Sequence, residues 1–168
     1  MSGNKQIYLI GSLRNEQVPI IGNQLRAKGF NIFDDWHAAG PEADDHWKSY
    51  EKERGRTYVE ALEGAAAKNV YAFDKRNLDA SDAAILILPA GKSGHLELGY
   101  MAGSGKLTYI LMDHEGDRWD VMYQFANAIA YSVDDLADKM ANQKLTKQYE
   151  NYEGTALVTE TYSAGLLS

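Results

Sequence analysis

A single α/β domain, with a five-stranded parallel sheet and helices on both faces, is the fold that this 168-residue sequence predicts, on three observations. Short apolar runs alternate along the chain with segments that carry apolar residues at helical spacing, the order of a sheet built from strand-helix-strand units. One run, AAILIL at residues 83–88, is wholly apolar and stops at Pro89, as a strand covered on both faces does. The length suits one hydrophobic core.

Residues 6–10 form the first apolar run and stop at Gly11-Ser12; residues 18–28 then repeat apolar positions at helical spacing up to Gly29. Residues 30–33 read as the second strand. The stretch DDWHAAGPEADDHW, residues 34–47, holds a Gly-Pro pair, two Asp pairs and two Trp and reads as a long loop at the end of that strand. Residues 57–68, rich in Ala, Glu and Leu, predict a helix. Beyond the buried strand, residues 91–94 lead into a helix over 95–102 that ends at Gly103-Ser104-Gly105, and residues 107–112 supply the fourth strand. A short helix over 118–125, a last strand over 126–131 and a helix over 132–144 that opens with Ser-Val-Asp-Asp complete a domain spanning 1–147. The tail, 148–168, with Tyr149, Tyr152, Leu157 and a Thr-rich stretch, has weak periodicity and reads as an arm, a frayed end or a subunit contact. In a doubly wound sheet of this kind the ligand crevice lies beyond the carboxyl ends of the strands, where the polar clusters are expected to gather.

A formal net charge of −7, with a pI near 5.0, argues against duplex DNA or an anionic membrane as partner, because both demand clustered Lys and Arg. Small molecules are the better class of ligand. With no cysteine there is no disulfide framework, thiolate metal site or cysteine nucleophile, which fits a reducing cytosol. The opening MSGNKQIYLIGSLRN holds too short an apolar run for a signal peptide or a membrane span, so a cytoplasmic protein is expected.

The segment SGHLELGY, residues 93–100, carries the sharpest candidate for chemistry. If Ser93 caps the helix, Glu97 sits near its free amides and the positive end of its dipole, which favours an ionised carboxylate ready to attack. An ordinary exposed helical glutamate fits the spacing equally well. The aspartates Asp74, Asp79 and Asp82 read as turn residues ahead of the buried strand, where Asp serves backbone hydrogen bonding as often as chemistry. Tyr8, Gly11, Ser12 and Arg14 open the first strand-to-helix turn, where amides and a guanidinium can hold an anion or a hydroxyl-rich group. Asp34, Asp35, Trp36 and Trp47 suit stacking and edge hydrogen bonding to a nucleobase, or a loop fastened by its indoles. His37, His46, His95 and His114 show no metal-ligand spacing, so no metal and no cofactor is expected.

Four segments together resemble the nucleoside 2-deoxyribosyltransferase family, including its relatives that hydrolyse nucleoside 5′-monophosphates: YLIGSLRN at 8–15, FDDW at 33–36, FD at 73–74 with SDAAILILP at 81–89, and SGHLELGYMAGSGK at 93–106. The resemblance implies a flavodoxin-like domain in which Glu97 is the nucleophile that forms a glycosyl ester at C1′, Tyr8 hydrogen-bonds that glutamate, and Asp74 contacts the base and relays a proton. Asn127 resembles the asparagine that a neighbouring subunit brings near the sugar, which implies a homo-oligomer with shared sites. Gly91 stands where the transferases often carry an aspartate, so base or hydroxyl contact is expected from Ser93 with Gly94, or from the Asp34–Trp36 loop with its Asp35 and Trp36. The GSLR turn is similar to the phosphate-holding turn of the monophosphate hydrolases, whereas Asn127 is similar to the nucleoside-using transferases. The implied substrates are a deoxynucleoside or deoxynucleotide and a free nucleobase. A non-catalytic nucleotide sensor on the same scaffold is the alternative from another class.

Overall fold

The computed structural model describes residues 5–142, 144–150, 156–163 and 165–166, the two strands near the end by their backbone alone. Five strands, β1 (Gln6–Ile10), β2 (Asn31–Phe33), β3 (Ala83–Ile87), β4 (Leu107–Leu111) and β5 (Ala128–Ala130), form one sheet in the order β2-β1-β3-β4-β5, every pair parallel. This is the flavodoxin-like order. The strand sequence reverses between β1 and β3, and the crevice of such sheets opens at that switch point.

Alternation along the strands sorts the side chains into two cores. Ile7, Leu9, Ile85, Tyr109 and Leu111 face one side, where helices α1 (Gln17–Ala27) and α6 (Val133–Ala141) bury Val18, Leu25, Leu136 and Met140 against them. Tyr8, Ile10, Leu86 and Ile110 face the other, covered by Leu78 of α4 (Ala65–Ala80) and by Leu98 and Met101 of α5 (Lys92–Gly103). All five residues of β3 are buried, as the apolar run predicts. Each helix that follows or precedes these strands runs against them, so α4 and α5 lie side by side, both ending at the amino edge of the sheet. Gly29, at φ 95°, turns the chain from α1 into β2 in a conformation that other residues rarely adopt. Ser132 caps α6 by accepting from the Asp135 amide at 3.1 Å.

Five expectations need correction. The stretch 34–47 is not a loop: a 3-10 turn over Asp35–Ala39 leads into α2 (Ala43–Glu53), a helix whose one buried residue is Glu51, so that no apolar stripe betrays it in the sequence. The helix expected over 57–68 is two helices, α3 (Tyr58–Leu62) and α4, divided at Gly64, with a reciprocal capping box between Thr57 and Glu60 fixing the start of the first. Of the Asp-rich segment from Phe73 onward, Asp74 and Asp79 lie in the second half of α4 rather than in a turn, whereas Asp82 does sit in the bend ahead of β3 and accepts a backbone N–H there. The helix expected over 118–125 is a 3-10 turn, Val121–Phe125. Two antiparallel strands, β6 (Lys144–Glu150) and β7 (Ala156–Ser163), pair as a separate hairpin that begins before the expected boundary at 147; Tyr152 and residues 1–4 lie outside the described residues. Leu166 returns to the α1/α6 core and is buried there.

Candidate active site

Tyr8 lies mid-strand in β1, and its register neighbours are Phe33 in β2 and Ala84 in β3. The phenol is buried against Phe33, ring centroids 5.2 Å apart, while the small Ala84 leaves room on the other side. Its hydroxyl donates to the Asp74 Oδ1, 3.3 Å away in the middle of α4. Phe33 continues to Phe73 of α4, with centroids 6.1 Å apart, so an aromatic wall stands beside the aspartate. Glu97, half-buried in α5, shares the seam between the helices with Asp74. Tyr8, Asp74 and Glu97, distant in sequence, therefore meet beside the switch point.

The electrostatics of this trio differ from the expectation. The N-cap of α5 is Gly91, not Ser93, which lies inside the first turn with its side chain exposed, and Glu97 falls in the second turn. Dipole and free-amide effects fade within the first turn. Burial, and next the charge of Asp74, push the Glu97 carboxyl up to about 7, and among the described residues no hydrogen bond or ion pair holds its ionised form. Burial also raises Asp74, opposed by the hydrogen bond from Tyr8. Burial and both carboxylates keep the Tyr8 phenol protonated far above its ordinary range, so it remains a donor. Two carboxyl groups that share a site cannot both ionise freely, and the pair retains one proton toward neutrality.

The same seam is tied lower down. Tyr100, three residues after Glu97, donates to Asp79 Oδ1 at 2.5 Å, and Lys75 donates to Asp79 Oδ2 at 2.5 Å while its ammonium stands 4.7 Å from the centroid of the Tyr100 ring. These bonds hold the Asp79 carboxyl below its usual range. Lys106, just past α5, donates to the carbonyls of Leu78 and Asp79 at 2.8 and 2.7 Å and so closes the end of α4. Of these residues the sequence marked only Asp79, and as a turn residue, because the partners become visible only once α4 is known to be a helix beside α5.

The remaining candidates are dispersed. A Cβ on Gly94 would stand 3.1 Å from Leu86 Cδ1 and 3.3 Å from Ile10 Cγ2; this glycine lets α5 press onto the sheet rather than greet a ligand. A Cβ on Gly11 would meet Val18 Cγ2 at 2.8 Å, so it too has a packing reason. Trp36 packs against both cores and donates its indole N–H to the Leu9 carbonyl at 2.7 Å, which makes it a fastener at the carboxyl end of β1; Asp35 beside it is exposed. Ser12 Oγ accepts from the Arg14 amide at 3.1 Å, and the Arg14 guanidinium pairs with Asp45 of α2 at 2.6 Å. Asn127 does not join the trio of its own chain: it precedes β5 at the amino edge, with Oδ1 accepting from the Thr108 amide at 2.9 Å. Asp82 is there too, accepting from the Gln6 amide at 3.0 Å, so the polar clusters do not all gather at the carboxyl edge as expected.

Among the described residues no group of three His, Asp or Glu side chains is placed to hold a metal ion, and no helix is long and apolar enough to cross a membrane. No family model matches the chain, and no curated protein matches it.

Proposed function

We propose that the chain is a nucleoside 2-deoxyribosyltransferase: it cleaves the N-glycosidic bond of a 2′-deoxynucleoside and passes the sugar to another nucleobase. The observation that carries this reading is Glu97, a half-buried carboxyl with no hydrogen bond or ion pair among the described residues, near a second carboxyl that a buried phenol steadies. Two carboxyl groups that hold one proton between them supply the parts a retaining glycosyl transfer needs, a nucleophile and an acid.

In the first step the ionised Glu97 attacks C1′, the bond to the base nitrogen breaks with its electron pair leaving on the base, and Asp74 or a water gives that nitrogen a proton. In the second, an acceptor base attacks C1′, giving up its N–H proton to Asp74 or a water, as the ester bond breaks and Glu97 leaves as carboxylate; water in its place, losing a proton the same way, gives hydrolysis. In the free protein the Tyr8 hydrogen bond favours charge on Asp74, which leaves the resting proton on Glu97. Positive charge growing on the sugar reverses that preference, because an oxocarbenium-like centre beside Glu97 stabilises its carboxylate most in the transition state.

The proposal includes a cytoplasmic homo-oligomer in which a neighbour brings Asn127 to the site. The exposed apolar side chains of Trp119, Val121, Met122 and Phe125, clustered in the segment before Asn127, support such an association. The deciding experiment incubates the protein with a 2′-deoxynucleoside and a different free base and separates the products by chromatography. The swapped nucleoside is the expected product; free base and free deoxyribose alone would replace transferase with hydrolase, and unchanged reactants would remove the reading.

A further inference from the structure

The seam between α4 and α5 carries polar groups at two levels. At one stand Tyr8, Asp74 and Glu97; about one helical turn nearer the amino edge of the sheet, a second set meets on the carboxylate of Asp79. Asp79 Oδ1 accepts from the Tyr100 hydroxyl of α5, Oδ2 accepts from the Lys75 ammonium of α4, both at 2.5 Å, and that ammonium stands 4.7 Å from the centre of the Tyr100 ring. Three contacts thus close a triangle across the seam. Lys106 donates to the main-chain carbonyl of Asp79 at 2.7 Å, so the backbone that carries the carboxylate is held as well. The Lys75 and Asp79 side chains are 34% and 48% exposed, and the apolar contact of these helices with the sheet is made by Leu78, Leu98 and Met101 instead. Exposed ion pairs contribute little to stability, so what the triangle chiefly fixes is distance.

We infer that Asp79 is a positioning residue: by accepting from Tyr100 and Lys75 at once, it sets the spacing of α4 and α5 beside Asp74 and Glu97, and so the closeness of those two carboxyl groups. The inference rests on the glycosyl-transfer reading above. Tyr100 lies three residues after Glu97, a neighbouring place on the helix surface about 4.5 Å along its axis, and Lys75 directly follows Asp74. The triangle therefore joins the two stretches of helix that carry the carboxyl pair. What raises the Glu97 carboxyl is burial and next Asp74, so Asp79 reaches Glu97 through geometry rather than through its own charge. A seam wider by a fraction of an ångström admits water to Glu97 and sets Asp74 further off, and both causes of the upward shift weaken together. Attack on C1′ suffers as well, since nucleophile and acid have to stand within reach of one sugar.

The test compares Asp79→Asn, Tyr100→Phe and the double variant with the unaltered full chain. Carboxyl carbon NMR follows the Glu97 midpoint with no substrate present, chromatography follows exchange of the base of a 2′-deoxynucleoside for a free base as a function of pH, and urea melts follow the fold. In each single variant the Glu97 midpoint should fall from about 7 by roughly one unit, toward the ordinary carboxylate range, and the rising limb of the rate should move to lower pH with it. The kcat should drop about tenfold with KM unchanged within roughly twofold. The double variant should be no worse than Asp79→Asn, because both changes break the same bond. A lower urea midpoint with the Glu97 midpoint unmoved is what a merely structural tie produces, and it overturns the inference; effects that add in full in the double variant overturn it too. If Asp79→Asn does not fold, Tyr100→Phe, which keeps the ring, decides on the same readouts. Base exchange with an unmoved Glu97 midpoint removes this inference alone. A midpoint that falls in the variants, when even the unaltered chain exchanges no base, removes the glycosyl-transfer reading and leaves the positioning role of Asp79 standing.

Discussion

The Tyr8 hydroxyl and the Asp74 carboxylate, 66 positions apart in the chain, meet at 3.3 Å across the seam between strand β1 and helix α4. That contact holds one of two neighbouring carboxyl groups and leaves Glu97 as the one without a donor among the described residues.

Replacing Glu97 with Gln keeps the shape of the side chain and removes the nucleophile. Base exchange should fall by roughly a thousandfold or more, on the scale seen when a covalent catalyst is lost, with an unchanged circular dichroism spectrum. Turnover near that of the unaltered chain, read by chromatography, would take Glu97 out of the chemistry.

With its carboxyl pushed up to about 7, Glu97 should impose a rising limb on the rate between acid and neutral pH, since the ionised form attacks. The stability effect has the opposite slope. Below the ordinary carboxylate range folded and unfolded chains both hold the proton; between that range and about 7 the folded chain keeps a proton that the unfolded chain has released, so stability falls as pH rises. Asp74, raised in the same direction, adds to it. Glu97→Gln should therefore be more stable than the unaltered chain at about pH 8, by up to about 3 kcal/mol, and not at about pH 4. Urea melts at the two pH values measure this, and an equal difference at both would mean that the carboxyl titrates normally.

Tyr8→Phe removes one hydroxyl from an otherwise preserved ring. Asp74 loses the bond that holds its carboxyl down, so its midpoint, followed by carboxyl carbon NMR, should move further up, and base release should slow by roughly tenfold, the worth of one hydrogen bond to a charged group. An unmoved Asp74 midpoint would mean that the contact is not maintained in solution.

Gly11→Ala places a methyl 2.8 Å from Val18 Cγ2, a branched side chain with little rotamer freedom in α1. A destabilisation of about 1–3 kcal/mol is expected from such overpacking, read as a lower urea midpoint at unchanged slope. A neutral result would show that α1 can shift away from the turn.

The strands were legible because burial on both faces leaves an apolar run with no polar interruption, as in β3, and their alternation with helices marked a parallel doubly wound sheet, while the strand order itself came only from the family resemblance. Helix α2 was not legible, since its sequence DDHWKSYEKE buries only Glu51 and is held by ion pairs with Arg14 and Arg56 rather than by an apolar stripe. The second half of α4 was hidden for a related reason: Asp74 and Asp79 resemble turn residues, yet Leu78 anchors the helix and Lys75–Asp79 braces it at helical spacing. Glu97 was singled out on its motif, whereas its raised pKa was not foreseen, because that depends on its burial in the seam and next on Asp74 arriving from a helix whose place the sequence does not mark.

The Lys106 ammonium, bonded to the last carbonyls of α4 from the segment that leaves α5, pins the lower tips of both helices together. The two helices are thus joined at one end, and any opening of the seam between them has to pivot there, so that the distance from Asp74 to Glu97 is what such an opening would change.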